Sequence, residues 1–141
     1  MKHRTFTILT LLALLLVSVV PLAAQDATEC EDGFRLAVHA GGETCVPEDP
    51  QRIAIAWDRG PAELFAAAEL PVVAVASREE YAPYLVEALN DLEGIVDLGS
   101  HRSVNLDALL EAEPDLIVIS TRNAPDILES AQHIAPTVQL D

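Results

Sequence analysis

The sequence has few basic residues and contains no lysine beyond Lys2. Lys2 and Arg4 are two of its eight basic residues, so the chain from residue 25 onward has six arginines against 23 acidic residues. The formal net charge is -15. Proteins that bind nucleic acid neutralise phosphates with a basic surface. This charge balance excludes an ordinary nucleic-acid-binding protein.

Motifs for nucleotide binding and catalysis are also missing. The segment Trp57-Asp-Arg-Gly60 has one glycine where a dinucleotide-binding turn has three, and there is no Gly-Lys-Ser/Thr phosphate loop. There is no Gly-x-Ser-x-Gly motif, and the histidines lie far apart in the sequence. We therefore expect a protein that is not an enzyme and has no nucleotide cofactor.

The amino-terminal segment predicts export. Lys2 and Arg4 precede an apolar run over residues 6–20, and small residues end at Ala24. This is the layout of a secretory signal peptide, which we place at residues 1–24. The alternative, an uncleaved membrane anchor, is too short for the roughly 30 Å hydrocarbon core. We expect the protein in the periplasm or at the extracellular face of the envelope, without a lipid anchor.

The chain has only two cysteines, Cys30 and Cys45. Disulfides persist in exported proteins, so we predict a Cys30–Cys45 bridge. The alternative, a metal site, has no further thiols and only His39 nearby. A partly alternating stretch, a Gly41-Gly42 turn and a second short stretch lie between or beside the cysteines. Residues 25–50 are therefore predicted to form a disulfide-linked β-hairpin.

The remaining residues, 51–141, alternate short apolar runs with segments of helical character. Nearly continuous apolar runs are typical of strands buried on both faces of a parallel sheet. The order predicts an α/β fold, a three-layer open parallel sheet with βαβαβαβαβ topology, in one domain. Strands are predicted at residues 53–57, 72–76, 95–98, 116–120 and 137–140, and helices at residues 61–68, 82–92, 106–112 and 124–134.

Four of the six arginines follow the carboxyl ends of predicted strands. Ligands of open parallel sheets bind in the crevice at that edge. Arginine binds carboxylate and phenolate oxygens in a bidentate fork, so the cluster predicts a site for an oxygen-rich anion. The alternative is that these arginines pair with nearby surface acids for little energy. The four residues are Arg59, Arg78, Arg102 and Arg122.

Two aromatic residues, Trp57 and Tyr81, also lie near strand ends. Their rings could stack on a bound ligand, or they could pack partly into the core. His101 lies beside Arg102 and is a further candidate at this edge.

Residues 47–141 resemble the periplasmic binding proteins for ferric siderophores and cobalamin that serve ABC importers. The order and spacing of the matching pieces carry the resemblance, and the Cys30-Glu-Asp-Gly-Phe34 opening with Cys45 is similar to iron-siderophore members. The pieces are Pro47-Glu-Asp-Pro50-Gln-Arg52-Ile53, Glu63-Leu64-Phe65, Leu70-Pro71-Val72-Val73, Asp97-Leu-Gly99, Val104-Asn105-Leu106-Asp107, Glu113-Pro114-Asp115-Leu116 and Ile134-Ala-Pro136-Thr137.

The resemblance implies two α/β lobes with the ligand held between them at the strand ends. It implies that Trp57, His101 or Arg102, and Arg122 or Asn123 line this cleft. The siderophore's own oxygens would coordinate the ferric ion, so no protein metal ligand is expected. Asp107 stands where the family often has a glutamate that contacts the permease. Its alternative role is a first-turn acid that stabilises a helix.

The chain stops after the fifth predicted strand, where the family continues into a second lobe. The resemblance therefore implies a single amino-terminal lobe, either a fragment or a product that needs another chain. We expect a solute-binding lobe that recognises a ferric siderophore for ABC-type import. Haem and cobalamin are alternative ligands. An exported single-lobe interaction or sensor module without a transport role is the alternative function.

Overall fold

A computed structural model describes residues 29–57, 68–76, 94–123 and 125–141. Several sequence predictions lie outside these residues. They are the signal peptide, the helix at 82–92, all but the last residue of the helix at 61–68, and the side chains of Arg59, Arg78 and Tyr81. Among the described residues, no helix is long and apolar enough to cross a membrane.

The disulfide-linked hairpin is confirmed. Strand β1 spans Phe34–His39, strand β2 spans Gly42–Pro47, and the two pair antiparallel. Pairing runs along both strands, from Phe34 opposite Pro47 to His39 opposite Gly42 at the turn. Cys30 and Cys45 are bonded, with an S–S distance of 2.01 Å. The bridge joins the segment before β1 to β2.

The predicted parallel sheet is also confirmed. It has five strands, and a smaller antiparallel pair, β6–β7, follows β5. Two helices of the described part, α1 and α2, flank β8 in the sequence. The elements are β3 (Ile53–Ala56), β4 (Val72–Val75), β5 (Val96–Asp97), β6 (Gly99–Ser100), β7 (Ser103–Val104), α1 (Leu106–Glu111), β8 (Leu116–Ser120), α2 (Pro125–Gln132) and β9 (Thr137–Leu140).

The strand order within the sheet is β5-β4-β3-β8-β9. The chain therefore builds the sheet outward from β3 in one direction and then returns to add β8 and β9 on the other side. All neighbouring pairs are parallel. The direction of winding changes between β3 and β8, and ligands of doubly wound sheets bind at the carboxyl ends of the strands beside such a point.

The two faces of the sheet pack separately. Alternate residues of each strand point to opposite faces, so Ala54 and Ala56 pack with the helices while Ile53 and Ile55 pack on the other side. On the first face, which we call the helix face, strand residues contact α1 and α2 through Leu109 and other buried side chains. We call the opposite face, which contains Ile53 and Ile55, the hairpin face.

Helix α1 begins and ends with side chains that satisfy its free backbone groups. At its start, Asn105 is the N-cap, and its Oδ1 atom accepts the N–H of Ala108 at 3.1 Å. At its end, Arg52 donates from Nε to the carbonyl of Glu113 at 2.8 Å and from Nη2 to the carbonyl of Ala112 at 2.5 Å. These bonds fix α1 against the amino end of β3.

The hairpin joins the sheet at strand β9 through His39. The Nδ1 atom of His39 accepts the backbone N–H groups of Gly41 and Gln139, each at 3.1 Å. Because Nδ1 accepts both bonds, the ring is assigned as the neutral tautomer with its proton on Nε2, which lies 2.9 Å from the Thr44 hydroxyl. The Ala40 N–H adds a bond to the carbonyl of Gln139 at 2.9 Å.

Protonation of His39 is expected to destabilise this junction at acid pH. Burial lowers the pKa of His39 below its ordinary value of 6.5, and a proton on Nδ1 would remove both accepted bonds. The unfolded chain then binds more protons than the folded chain, so the contribution of His39 to stability is complete above pH 6.5 and is lost as pH falls through the lowered pKa. Urea unfolding curves at about pH 7.5 and about pH 5 measure the loss.

Two variants separate His39 from other acid-sensitive groups. His39→Ala is expected to lose about 1–2 kcal/mol at neutral pH and to show a smaller acid-induced loss than the wild type. His133→Ala is the matched control, because the His133 ring is exposed and its Nδ1 atom meets the carbonyl of Glu129. If both variants lose as much stability in acid as the wild type, His39 does not hold the junction in a pH-dependent way.

Candidate functional site

The candidate site lies at the carboxyl ends of β3 and β8, where the winding direction of the sheet changes. Trp57 directly follows β3, and Arg122 and Asn123 follow β8. The β6–β7 hairpin presents His101 and Arg102 in its turn. The residues that the sequence placed after three different strands are thus carried by three neighbouring segments.

A single buried side chain, Asn123, connects these three segments. It is 6% exposed. Its Oδ1 atom accepts the N–H of Ser120 at the end of β8 at 2.8 Å. Its Nδ2 group donates to the carbonyl of Ala56 at 3.0 Å and to the carbonyl of His101 at 2.7 Å. The ends of β3 and β8 and the turn of the β6–β7 hairpin therefore meet at one amide.

These bonds place three predicted ligand residues at one location. Ala56 immediately precedes Trp57, and His101 immediately precedes Arg102. Arg122 immediately precedes Asn123 itself. The orientation of each peptide is fixed next to the residue that would contact a ligand.

The same local turn occurs at both described arginines of this edge. The backbone N–H of Arg102 donates to the Ser100 hydroxyl at 3.2 Å, and that of Arg122 donates to the Ser120 hydroxyl at 3.1 Å. In each case the serine side chain accepts from the residue two positions later, a turn that serine favours. The sequence signal is Ser-x-Arg, and it occurs at both positions.

The side chains of Arg102 and Arg122 are exposed at this edge. Within the described ranges, neither guanidinium group has a hydrogen bond or ion pair, so Arg122 is not paired with Asp126 as the surface-pair alternative would have it. Trp57 is half-buried and packs against the apolar residues of the hairpin face. The ring therefore has both core contact and an accessible part.

Arg52 serves a different purpose at the opposite edge. It precedes β3, where its guanidinium caps α1. The carboxylate of Asp115 accepts the backbone N–H groups of Gln51 and Arg52 at 2.6 and 3.0 Å. These contacts are structural, in agreement with the exclusion of Arg52 from the predicted ligand cluster.

Asp107 lies in the first turn of α1 and is exposed. Helix α1 runs from the β6–β7 hairpin towards the amino end of β8. Its first turn, which contains Asp107, therefore lies at the same edge of the sheet as the candidate site. Its position also suits a favourable interaction with the helix dipole. A surface carboxylate is thus available beside the site.

A concavity lies on the hairpin face, and none of the candidate site residues lines it. It has a volume of about 820 Å³ and is bordered by the disulfide-linked hairpin and the amino ends of β3 and β8. Its lining is mostly apolar, with Val38, Leu70, Leu116, Val138 and Leu140 among its residues. Arg35 is at its border, far along the chain from the candidate site.

The β6–β7 hairpin and the role of Asn123 were not predicted. The sequence placed His101 and Arg102 simply after the third strand of the sheet. Gly99 has a φ of +71°, and its N–H donates to Asp97 Oδ1 at 2.8 Å, so the chain turns directly after β5. An Asp-x-Gly turn followed by Ser-x-Arg was the available signal.

Comparison with known proteins supports the predicted resemblance. The chain is 28% identical to the Bacillus subtilis protein described as "Probable siderophore-binding lipoprotein YfiY", over 92% of this chain and 42% of that protein. It is 26% identical to the ferric-anguibactin-binding protein FatB of Vibrio anguillarum, over 73% of this chain and 31% of FatB. No family model matches the chain.

A solved structure gives the same result for the fold. The siderophore-binding protein BauB, bound to a complex of two acinetobactin molecules and ferric iron, superposes with a TM-score of 0.66 and 26% sequence identity. The match covers 77% of this chain and 37% of BauB.

The chain is also 26% identical to the Bacillus subtilis protein described as "Putative ABC transporter substrate-binding lipoprotein YhfQ", over 94% of this chain and 42% of that protein. These comparisons confirm the resemblance to siderophore-binding and ABC transporter substrate-binding proteins, which are binding proteins rather than enzymes. The chain spans less than half the length of the relatives that it matches. YfiY is described as a lipoprotein, whereas both cysteines of this chain are held in the disulfide.

Proposed function

We propose that this chain is one lobe of an extracytoplasmic solute-binding protein that recognises a ferric siderophore for ABC-type iron import. It acts by binding and performs no catalysis. The observation that supports the proposal is that Asn123 joins the segments carrying Trp57, Arg102 and Arg122 at the point where the winding direction of the sheet changes. Arg102 and Arg122 are exposed cations in a chain with a net charge of -15, so their presence at one edge of the sheet favours a site for an anion there.

The chemistry of the site fits a ferric chelate with anionic oxygens. Guanidinium groups form charge-assisted hydrogen bonds to carboxylate or catecholate oxygens, and the indole of Trp57 offers a flat surface for an aromatic chelator. Fe³⁺ is a hard cation and prefers the oxygen donors that a siderophore supplies. YfiY, FatB and BauB, which the chain resembles, are named for siderophore binding.

The proposed ligand contacts are Trp57, His101, Arg102 and Arg122, together with Arg59, Arg78 and Tyr81, which lie outside the described residues. A second lobe, supplied by further sequence or by another chain, would close over this edge. Asp107 is the proposed contact to the permease, because it offers a carboxylate on the same side of the sheet. The relatives' length supports a two-lobe arrangement.

Equilibrium dialysis of the purified chain against a panel of ligands tests the proposal. The panel contains a ferric triscatecholate, a ferric carboxylate siderophore, an uncharged ferric trihydroxamate, haem and cobalamin. Saturable binding of the anionic ferric chelates, with weaker binding of the uncharged one, is expected from the two arginines. Preference for haem would favour a direct role for His101. A folded chain that binds none of them would favour an interaction or sensor module.

A further inference from the structure

Asn123 was a candidate ligand contact, but its geometry indicates a different use. A side-chain amide has two donor hydrogens and an acceptor oxygen. Both hydrogens point to main-chain carbonyls, those of Ala56 and His101, and the oxygen accepts the N–H of Ser120. With 6% of its surface exposed, the residue has little left to offer a ligand.

We infer that Asn123 is a positioning residue, which aligns the three segments of the binding edge so that Trp57, Arg102 and Arg122 face one ligand. The inference rests on the proposed function. Asn123 would thus contribute to ligand affinity although its buried amide does not contact the ligand. The chemical class of ligand remains the anionic ferric chelate.

The β6–β7 hairpin explains why such an anchor is needed. Each of its strands has two residues, and short isolated hairpins are marginally stable in water. The bond from Asn123 Nδ2 to the carbonyl of His101, at 2.7 Å, fixes its turn to the sheet. Loss of that bond is expected to loosen the turn, and binding would then have to order it at a cost in affinity.

The bond to Ala56 extends the same effect to Trp57. It holds the last peptide of β3 at 3.0 Å from Nδ2, directly before the tryptophan. Loss of the amide therefore alters the surroundings of Trp57 before any ligand is added. This predicts a signal in the ligand-free protein that a direct ligand contact would not give.

Two variants of the full chain test the inference. Asn123→Ala removes all three side-chain bonds, whereas Asn123→Asp keeps the size of the residue and an acceptor for Ser120 but no N–H donor. Both are expected to accelerate hydrogen–deuterium exchange at residues 99–104, to shift the emission of Trp57, the chain's single tryptophan, and to weaken ferric triscatecholate binding about tenfold or more.

Thr137→Val is the matched control for a general loss of stability. Thr137 is fully buried, and its hydroxyl donates to the carbonyl of Ala135 at 2.9 Å, at the amino end of β9. Its loss removes one buried hydrogen bond far from the site. The control is expected to unfold at lower urea concentration while keeping wild-type exchange at residues 99–104, Trp57 emission and ligand affinity.

The readouts separate this inference from the proposed function. Unchanged exchange and emission in the ligand-free Asn123 variants would overturn the positioning role. If such variants nevertheless bound the chelate more weakly, Asn123 would be a direct ligand contact. Wild-type protein that binds no chelate would contradict the proposed function. Changed exchange and emission in the variants would then still support the role of Asn123 in holding this edge together.

Discussion

Replacing Arg102 and Arg122 together with glutamine is expected to lower the affinity for a ferric triscatecholate by about 100-fold or more. Each charge-assisted hydrogen bond contributes about 1.5–3 kcal/mol, and a factor of ten in affinity corresponds to about 1.4 kcal/mol. Both side chains are exposed, and their guanidinium groups bond to nothing else in the described ranges, so the substitutions should leave the fold unchanged. Adding Arg59→Gln and Arg78→Gln is expected to abolish binding.

Arg35→Gln is the matched control for the change in net charge. Arg35 lies in β1 and borders the concavity of the hairpin face, away from the candidate site. This variant is expected to bind within about twofold of the wild type, because exposed charges beyond a Debye length of roughly 10 Å are largely screened. Equal losses for Arg122→Gln and Arg35→Gln would mean that net charge, and not a site at the strand ends, governs binding.

Loss of the disulfide is expected to have the largest effect on stability. Replacing Cys30 and Cys45 with serine should lower the free energy of unfolding by about 3 kcal/mol, since the bridge closes a loop with a sequence separation of 15 residues. That is a large fraction of the roughly 5–15 kcal/mol that stabilises a typical domain. The segment before β1 should loosen first, because the bridge ties it to β2, while the hairpin keeps its bonds to β9 through His39, Ala40 and Thr44.

Urea denaturation of the oxidised wild type, the reduced wild type and the double serine variant measures this effect. The reduced wild type and the variant should have the same midpoint, below that of the oxidised protein. Three equal midpoints would contradict the prediction and would show that the hairpin is held without the bridge. At low urea, ligand affinity should be retained in the variant because the bridge joins two residues of the hairpin segment and neither belongs to the candidate site.

The strands of the sheet could be predicted from the sequence because each is a short apolar run between polar segments. The predicted bounds of β8 and β9 agree with the structure, while β5 is shorter because Asp97 ends the sheet pairing and is exposed. The disulfide followed from the presence of only two cysteines. The local sequence pattern was sufficient in these cases, because the hydrophobicity of consecutive residues indicates both burial and strand formation.

The arrangement of the site depended on contacts between residues far apart in the chain. Asn123 bonds to Ala56, 67 positions earlier, and to His101, 22 positions earlier. No local pattern distinguishes such a buried asparagine from one that caps a helix or lines a cleft. The strand-end arginines, in contrast, followed from topology alone, because parallel strands end at one edge. The sequence therefore predicts which edge carries the site, whereas the way its segments are joined depends on contacts that only the folded chain brings together.

Binding at the carboxyl edge of the sheet is the central claim, and amide chemical-shift mapping tests it most directly. A gallium triscatecholate serves as a diamagnetic substitute for the ferric chelate and is titrated into the isotopically labelled chain. The largest shifts are expected at Trp57, at residues 99–104 and at Arg122, with little change in β1 and β2. Shifts concentrated around Val38, Leu70 and Leu116, which line the concavity of the hairpin face, would contradict this claim.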